Sequence, residues 1–85
     1  MELRLLRYFV AAAEELHFAR AAERLGIEQS PVSRAMRDLE EFLGVQLFDR
    51  STRQMRLTWA GQVLLSECRR VLATVDQAIR ATKGA

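Results

Sequence analysis

The fold is decided by residues 18–44, FARAAERLGIEQSPVSRAMRDLEEFLG, which are predicted to form two helices joined by a short turn. The first helix is expected over Phe18–Leu25, and Gly26 ends it because glycine readily adopts the left-handed conformation found after a helix. The second helix is expected to start with Ser30 as its cap and Pro31 at its first position, where the missing N–H costs nothing. A helix, a glycine-containing turn and a second helix make up the helix-turn-helix pattern.

The second of these helices has an apolar face that continues to the next glycine. Its hydrophobic side chains follow spacings of four, three and four residues, which is the helical period, at Val32, Met36, Leu39 and Leu43. Gly44 is expected to end the helix. We therefore predict that this face is buried against the other helices.

A third helix is predicted before this pair, and a small hairpin after it. Leu3–Glu15 carries an apolar stripe at helical spacing, made by Leu6, Phe9, Val10 and Ala13. Beyond the pair, Val45–Phe48 and Met55–Leu57 are expected to be short strands, joined by the polar loop Asp49–Gln54. The aromatic side chains are expected in or near the core, at Tyr8, Phe9, Phe18, Phe42 and Phe48.

The last helix is predicted to begin after Thr58, whose hydroxyl can cap it, and to run towards Thr82. It carries a heptad-like apolar seam with spacings of three and four residues, formed by Leu65, Cys68, Leu72, Val75, Ile79 and Thr82. The rest of the chain is too small to cover this surface, so we expect the helix to pack against a second copy of itself. The fold class is therefore mainly α, with a three-helix core and a small β-hairpin followed by a long dimerising helix.

Length and composition limit the chain to one small globular domain. It has 85 residues, of which 49% are hydrophobic and 28% charged, and only four Gly and one Pro, which favours long helices. A single Cys cannot form an internal disulfide, and one Cys with one His disfavours a structural zinc site. No apolar run approaches the roughly 18 residues of a membrane span, and no signal peptide opens the chain, which favours a cytoplasmic location.

The outward face of the second helix carries side chains that suit DNA. Ser30, Ser33, Arg34 and Arg37 lie away from the apolar stripe, with Gln29 just before them. Arginine can pair with guanine, glutamine with adenine, and serine with a base or a phosphate. The two arginines precede the acidic residues of the helix, which reverses the order that the helix dipole prefers and fits an N-terminal half that meets phosphates. The alternative is an ordinary solvated helix.

Positive charge is concentrated in the loop between the two predicted strands. The whole chain carries a formal net charge of only +2, which by itself is weak evidence for a nucleic-acid partner. Residues 50–56, however, contain Arg50, Arg53 and Arg56 and no acid. We therefore expect Arg53 to contact DNA, because arginines without nearby acids can neutralise phosphates.

The order of these motifs closely resembles the N-terminal DNA-binding domain of LysR-type transcriptional regulators. The matching segments cover nearly the whole chain, in the order LRYF (6–9), FARAAERL (18–25), QSPVSR (29–34), LE (39–40), LG (43–44), LFDR (47–50) and LTWAG (57–61). The resemblance implies a winged helix-turn-helix domain over residues 1–57. It also implies a linker helix over residues 58–85 that pairs with its mate in an antiparallel dimer.

The resemblance also implies which residues bind DNA and which hold the dimer together. It places Gln29, Ser30, Pro31, Ser33 and Arg34 at the major groove and its flanking phosphates, and Arg53 at the minor groove. Arg37 is expected beside them. Arg50, which resembles the family's wing-base arginine with its partly structural role, is also expected to contact DNA. The dimer contacts are expected at Leu65, Cys68, Leu72, Val75 and Ile79.

The expected function is sequence-specific binding of double-stranded DNA by a dimer, at an inverted repeat, in a transcription regulator. Regulators of this kind continue into a larger effector-binding domain, so we expect the chain to be the DNA-binding part of a longer protein that can form tetramers. The alternative is a helical protein-interaction module that dimerises without specific DNA binding. Because the sequence has no Gly-rich phosphate loop and no nucleophile with a His and an acid partner, neither an enzyme nor a cofactor is expected.

Overall fold

The computed structural model describes all 85 residues and has the predicted order of elements. Four helices and one two-stranded antiparallel sheet follow one another as α1 (Leu3–Glu15), α2 (Phe18–Leu25), α3 (Gln29–Leu43), β1 (Phe48–Asp49), β2 (Arg56–Leu57) and α4 (Trp59–Lys83). The mainly helical fold class with a small hairpin is confirmed. None of the helices has a stretch apolar and long enough to cross a membrane.

The turn between α1 and α2 is fixed by backbone conformation and by a side-chain cap. Leu16 adopts the left-handed conformation at φ 51°, and its N–H donates to the carbonyl of Ala12. His17 then caps α2, because its Nδ1 accepts a hydrogen bond from the backbone N–H of Arg20 at 3.2 Å. Gly26 ends α2 at φ 72°, as predicted. The bounds predicted for α1 and α2 are both confirmed.

The start of α3 differs from the prediction. The helix begins at Gln29, and its N-cap is Glu28, whose side chain makes no capping hydrogen bond. Ser30 is therefore the second residue of the helix and not its cap, and Pro31 is the third and not the first. Proline is tolerated there because the first four N–H groups of a helix have no partner within it. The Ser30 hydroxyl consequently forms no hydrogen bond within the chain.

The core lies where α1, α2 and α3 meet the start of the hairpin. Phe48 is at its centre, with its ring centroid 5.7 Å from that of Phe9 and 5.4 Å from that of Phe18. The largest side chains that are fully buried are Phe9, Val32, Met36, Leu39, Leu47, Phe48 and Cys68. These residues come from α1, α3, α4 and the segment leading into β1, so one small core ties almost every element together.

Two residues that were predicted to be in the core are exposed. Leu43 is only partly covered and Phe42 is 68% exposed, so the apolar face of α3 ends before the helix does. After Leu39, the apolar side chains that enter the core are Leu47 and Phe48. The chain turns at Gly44 and brings these two side chains back to the core, which leaves the last turn of α3 uncovered.

The hairpin is shorter than predicted. Only two residue pairs form, Phe48 with Leu57 and Asp49 with Arg56, so the strand predicted over Val45–Phe48 is reduced to its last residue plus Asp49. The backbone just before β1 pairs instead with the start of α4, where the N–H of Thr58 donates to the carbonyl of Leu47 at 3.0 Å. The hairpin is thus a small projection whose base is fastened to the helices.

Helix α4 begins as predicted and packs back along α1. The Thr58 hydroxyl accepts from the N–H of Gly61 at 3.0 Å and donates to the carbonyl of Gln46 at 2.7 Å. Gly61 is required there, because a Cβ at this position would overlap the carbonyl oxygen of Leu47. Arg69 contacts Glu14 at 2.7 Å, which anchors α4 to the end of α1.

The predicted seam of α4 has two different environments. Cys68 is 1% exposed within a single chain, and Leu65 packs against the same core. Both therefore contribute to the protomer's own fold, because α1 covers this part of the seam, which was predicted to contact a second copy of the chain. Leu72 and Val75 are half-buried, and Ile79 is 45% exposed. Burial, and next the charge of Glu67, raises the pKa of the Cys68 thiol, so the thiol stays protonated near neutral pH.

Candidate nucleic-acid interface

The first half of α3 presents a polar surface on the side opposite the core. Gln29, Ser30, Pro31, Arg34 and Arg37 are exposed and Ser33 is half-buried, whereas Val32, Ala35 and Met36 are buried. Residues 30, 34 and 37 are spaced four and three apart, so they form one row along the helix. None of these polar side chains makes a hydrogen bond or an ion pair within the chain, which leaves their donors free for a partner.

The hairpin loop lies beside the start of α3. An open cleft of about 510 Å³ separates the two, lined by Arg53, Gln54 and Met55 from the loop, by residues 15–20 around the start of α2, and by Gln29. The structure thus brings Arg53 close to the row of polar residues on α3. A ligand long enough to touch both the helix and the loop would cross this cleft.

The cleft also contains Arg20, which was not among the predicted site residues. Arg20 is the third residue of α2, and its exposed side chain forms no ion pair. The signal was its position in the first turn of the helix that, in helix-turn-helix proteins, crosses the DNA backbone. Arg20 therefore belongs with Arg53 among the residues that could reach a phosphate.

Local hydrogen bonds shape the loop that carries Arg53. The Asp49 carboxylate accepts from the hydroxyl of Ser51 at 2.6 Å and from its N–H at 3.0 Å, and Thr52 donates to the carbonyl of Gln54 at 2.6 Å. The bonds from Ser51, more than the nearby charge of Arg56, lower the pKa of Asp49, which stays ionised near neutral pH. These bonds leave the Arg53 side chain free at the end of the loop.

Arg50 has a different environment from Arg53. Its Nη2 contacts Oε1 of Glu40 at 3.1 Å and its Nη1 contacts Oε2 of the same carboxylate at 3.3 Å. Glu40 is 7% exposed and is the buried charged residue of this fold. Arg50 was predicted to contact DNA, and the structure gives its guanidinium a partner inside the protein.

A second group of charges lies at the end of α1, where α2 and α4 meet it. Glu14 forms ion pairs with Arg69 and Arg24, each at 2.7 Å, and Glu15 forms one with Arg24 at 3.3 Å. The hydrogen bond from Arg69, followed by the one from Arg24, lowers the pKa of Glu14, and the bond with Glu14 raises the pKa of Arg24. This network joins α1, α2 and α4.

Ion pairing divides the arginines into two sets. The arginines paired with an acid within the chain are Arg4, Arg7, Arg24, Arg50, Arg69 and Arg70. The arginines without such a pair are Arg20, Arg34, Arg37, Arg53 and Arg56, together with Arg80 near the end of α4. Five of the six unpaired arginines lie on α2, α3 and the hairpin, and the acids without an arginine partner lie on or beside the same elements, at Glu23, Glu28, Asp38, Glu41 and Asp49. In the lining of the cleft, however, Arg20 and Arg53 are unpaired and the one acid, Glu15, is paired with Arg24, so positive charge is in excess there.

Comparison with known proteins gives one consistent result. Residues 3–62 match the family model described as "Bacterial regulatory helix-turn-helix protein, lysR family". The HTH-type transcriptional regulator AlsR of Bacillus subtilis is 49% identical over 79 residues, which is 93% of this chain and 26% of AlsR. The chain thus spans about a quarter of that relative's length.

Two solved structures of protein–DNA complexes are also similar to this chain. The BenM_DBD/benA site 1 DNA complex has a TM-score of 0.93 and 46% identity, covering 98% of this chain and 93% of that one. The CbnR_DBD–DNA complex has a TM-score of 0.91 and 42% identity, covering 99% of this chain and 97% of that one. The similarity includes all four helices and the hairpin.

Proposed function

This chain belongs to the lysR family of bacterial regulatory helix-turn-helix proteins, and from that premise we propose that it binds a specific double-stranded operator to control transcription. The observation that carries the proposal is the cleft beside the polar start of α3, where Arg20 and Arg53 are unpaired and the one acid, Glu15, is paired with Arg24. Phosphate neutralisation supplies affinity, and base-edge contacts supply specificity. A surface that offers both fits a sequence-specific DNA-binding protein.

We infer that α3 lies in the major groove, which is about 12 Å wide and admits one helix. Gln29, Ser30, Ser33 and Arg34 then face base edges or the flanking phosphates, and Pro31 offers an apolar contact to a thymine methyl group. Arg37 lies in the same row one turn further along and would reach the backbone. The structure-based support is that the polar side chains of this row are free of partners within the chain.

The hairpin acts as the wing in this proposal. Arg53 reaches the adjacent minor groove or its phosphates, and Arg20 contacts the backbone on the other side of the cleft. Arg50 is not assigned to DNA, because both its terminal nitrogens contact Glu40.

We propose that two copies pair through α4 and read an inverted repeat, with their α3 helices in successive major grooves. The side chains still available for pairing are Val71 and Ile79, which are exposed, and Leu72 and Val75, which are half-buried. Residues 58–85 would then serve as the linker helix of a longer cytoplasmic regulator, after the winged domain of residues 1–57. Such a regulator could form tetramers, with its effector bound outside this part of the protein.

The proposal is tested by selecting random double-stranded DNA on the purified chain at near-physiological salt and sequencing what is retained. Recovery of an inverted repeat, with half-sites one helical turn or a multiple of it apart, is the expected result. Recovery without sequence preference would reduce the function to backbone binding. No recovery even at low salt would favour the alternative, a helical interaction module, for which the 77% exposed Trp59 and the exposed Phe42 offer apolar surface.

A further inference from the structure

Glu40 is a buried carboxylate that joins α3 to the base of the hairpin. Its Oε2 accepts from the backbone N–H of Leu47 at 2.8 Å and from that of Phe48 at 3.2 Å. Both oxygens also contact the guanidinium of Arg50, at 3.1 and 3.3 Å. A buried charge is tolerated only when it is paired and hydrogen-bonded in this way. One side chain of α3 therefore fixes three residues at the start of the hairpin.

Arg50 extends this connection to α2. Its guanidinium carbon lies 5.6 Å from the ring centroid of Phe18, the first residue of α2, and 5.5 Å from that of Phe48. The planar guanidinium can contact a carboxylate with two N–H groups while lying against aromatic rings. Glu40 and Arg50 thus hold α2, α3 and β1 in one arrangement.

The base of the hairpin is also held by the bonds from Thr58 to Gln46 and Leu47 and by the burial of Phe48, but beyond its base the hairpin has few means of holding its direction. Its ladder consists of two residue pairs, and a two-stranded hairpin is marginally stable at best in water. Arg53, at the far end of the loop, makes no hydrogen bond or ion pair within the chain. Its position relative to α3 therefore depends on how firmly the base of the hairpin is fixed.

We propose that Glu40, acting through Arg50, is a positioning residue that sets the wing so that Arg53 and α3 engage DNA together. This inference rests on the proposed function. A group held in its bound position before binding loses less conformational freedom on binding. Removing the charge of Glu40 should accordingly weaken the contribution of Arg53 while leaving that of Arg34 intact, because Arg34 lies on α3 itself.

The test is a set of double-mutant cycles on a fluorescent duplex that carries the selected inverted repeat, with dissociation constants measured by anisotropy. Counted for each protomer of the dimer, Arg53→Ala in the parent chain should weaken binding about tenfold, because one charge-assisted hydrogen bond is lost at each half-site. In a Glu40→Gln background the same change should cost only about two- to threefold, because coupled sites are not additive. Arg34→Ala should cost the same factor in both backgrounds.

Glu41→Gln is the matched control. Glu41 is the exposed neighbour of Glu40 on α3, so this variant removes the same charge near the same helix without touching the hairpin. Arg53→Ala should keep its full effect in the Glu41→Gln background. Far-UV circular dichroism and thermal unfolding confirm that each variant is folded under the assay conditions. If Glu40→Gln does not fold, Arg50→Lys is used in the same cycles, since it keeps the positive charge but loses the two-pronged contact.

The outcomes separate the two proposals. The expected result is that, in the Glu40 or Arg50 variants, Arg53→Ala loses most of its effect on the dissociation constant and Arg34→Ala keeps its full effect. Full additivity with Arg53→Ala, or an equal loss of the Arg34 and Arg53 effects, would overturn the positioning role while leaving DNA binding intact. A parent chain that binds no duplex would overturn the proposed function, and this inference with it.

Discussion

The salt dependence of DNA binding should distinguish the unpaired arginines from the paired ones. Arg53 lies on the wing without an acid partner, and each protomer contributes one copy, so Arg53→Ala removes two phosphate contacts from a dimer. Since log K falls with log salt by about 0.9 for each phosphate neutralised, the slope should become shallower by about 1.8. Affinity for every duplex should fall by a similar factor, because a backbone contact carries no sequence information.

The matched control is Arg70→Ala, which makes the same change in net charge. Arg70 lies on α4, exposed and paired with Glu67 at 3.4 Å, away from the cleft. Anisotropy titrations at four or more salt concentrations between 50 and 200 mM, a range over which phosphate-contacting proteins lose much of their affinity, give both slopes. Arg70→Ala should leave the slope unchanged. Equal changes in the two variants would refute the division of the arginines by ion pairing, because net charge alone would then explain the binding.

Four further predictions follow from single residues. Arg34→Ala should relax specificity at one base position by about 1–3 kcal/mol, measured by repeating the DNA selection; an equal loss on all sequences would mean a phosphate contact only. Ile79→Asp should sediment as a monomer, because it places a charge in the proposed apolar interface. Gln77→Asp is the control and should stay dimeric. A dimeric Ile79→Asp variant would exclude this face of α4 as the dimer interface. Gly61→Ala should lower the free energy of unfolding by about 1–3 kcal/mol, because the new methyl group meets a carbonyl oxygen; unchanged denaturant unfolding would contradict this. Because the pKa of Glu14 is lowered, its ionised form stabilises the fold above the carboxyl's ordinary pKa, and this stabilisation is lost as pH falls through the lowered pKa. The Tm of Glu14→Gln should therefore fall less than that of the parent between pH 7 and pH 3. Equal decreases in Tm would show that this network does not set the acid response.

The helix boundaries that were predicted correctly have strong local signals. Gly26 and Gly44 end their helices in the left-handed conformation, and Thr58 caps α4 with its own hydroxyl. Each of these depends on one residue and its immediate neighbours, so the sequence is sufficient. The predicted start of α3 was wrong because Ser30 and Pro31 suit two different starting points equally well. A serine can cap a helix or lie within its first turn, and a proline is tolerated throughout that turn.

The errors in burial came from contacts between distant segments. The periodic spacing of α3 continues to Leu43, yet the elements that could cover its last turn do not reach it. Cys68 fits a dimer seam by spacing alone, and only the position of α1 shows that its own chain covers it. Periodicity identifies the apolar face of a helix, but it does not identify the partner that covers that face.

Glu40 was missed for a related reason, although a signal was present. It lies four residues after Met36 and next to Leu39, on the buried side of α3, where an acid needs a partner. Arg50 is ten residues later and was interpreted only as part of a basic loop. Pairing an acid on an apolar face with a nearby arginine would have predicted the contact between Glu40 and Arg50.

The net charge of the chain does not show how its charges are distributed. Half of its arginines form ion pairs, and three of these, Arg7, Arg24 and Arg69, join one helix to another. Their charge is compensated locally and contributes little at the protein surface. Of the arginines without an acid partner, Arg20 and Arg53 lie in one cleft whose only acid, Glu15, is paired with Arg24, so the local field there is more positive than a net charge of +2 suggests. The positions of arginines that lack an acid partner therefore predict a nucleic-acid surface better than the total charge does.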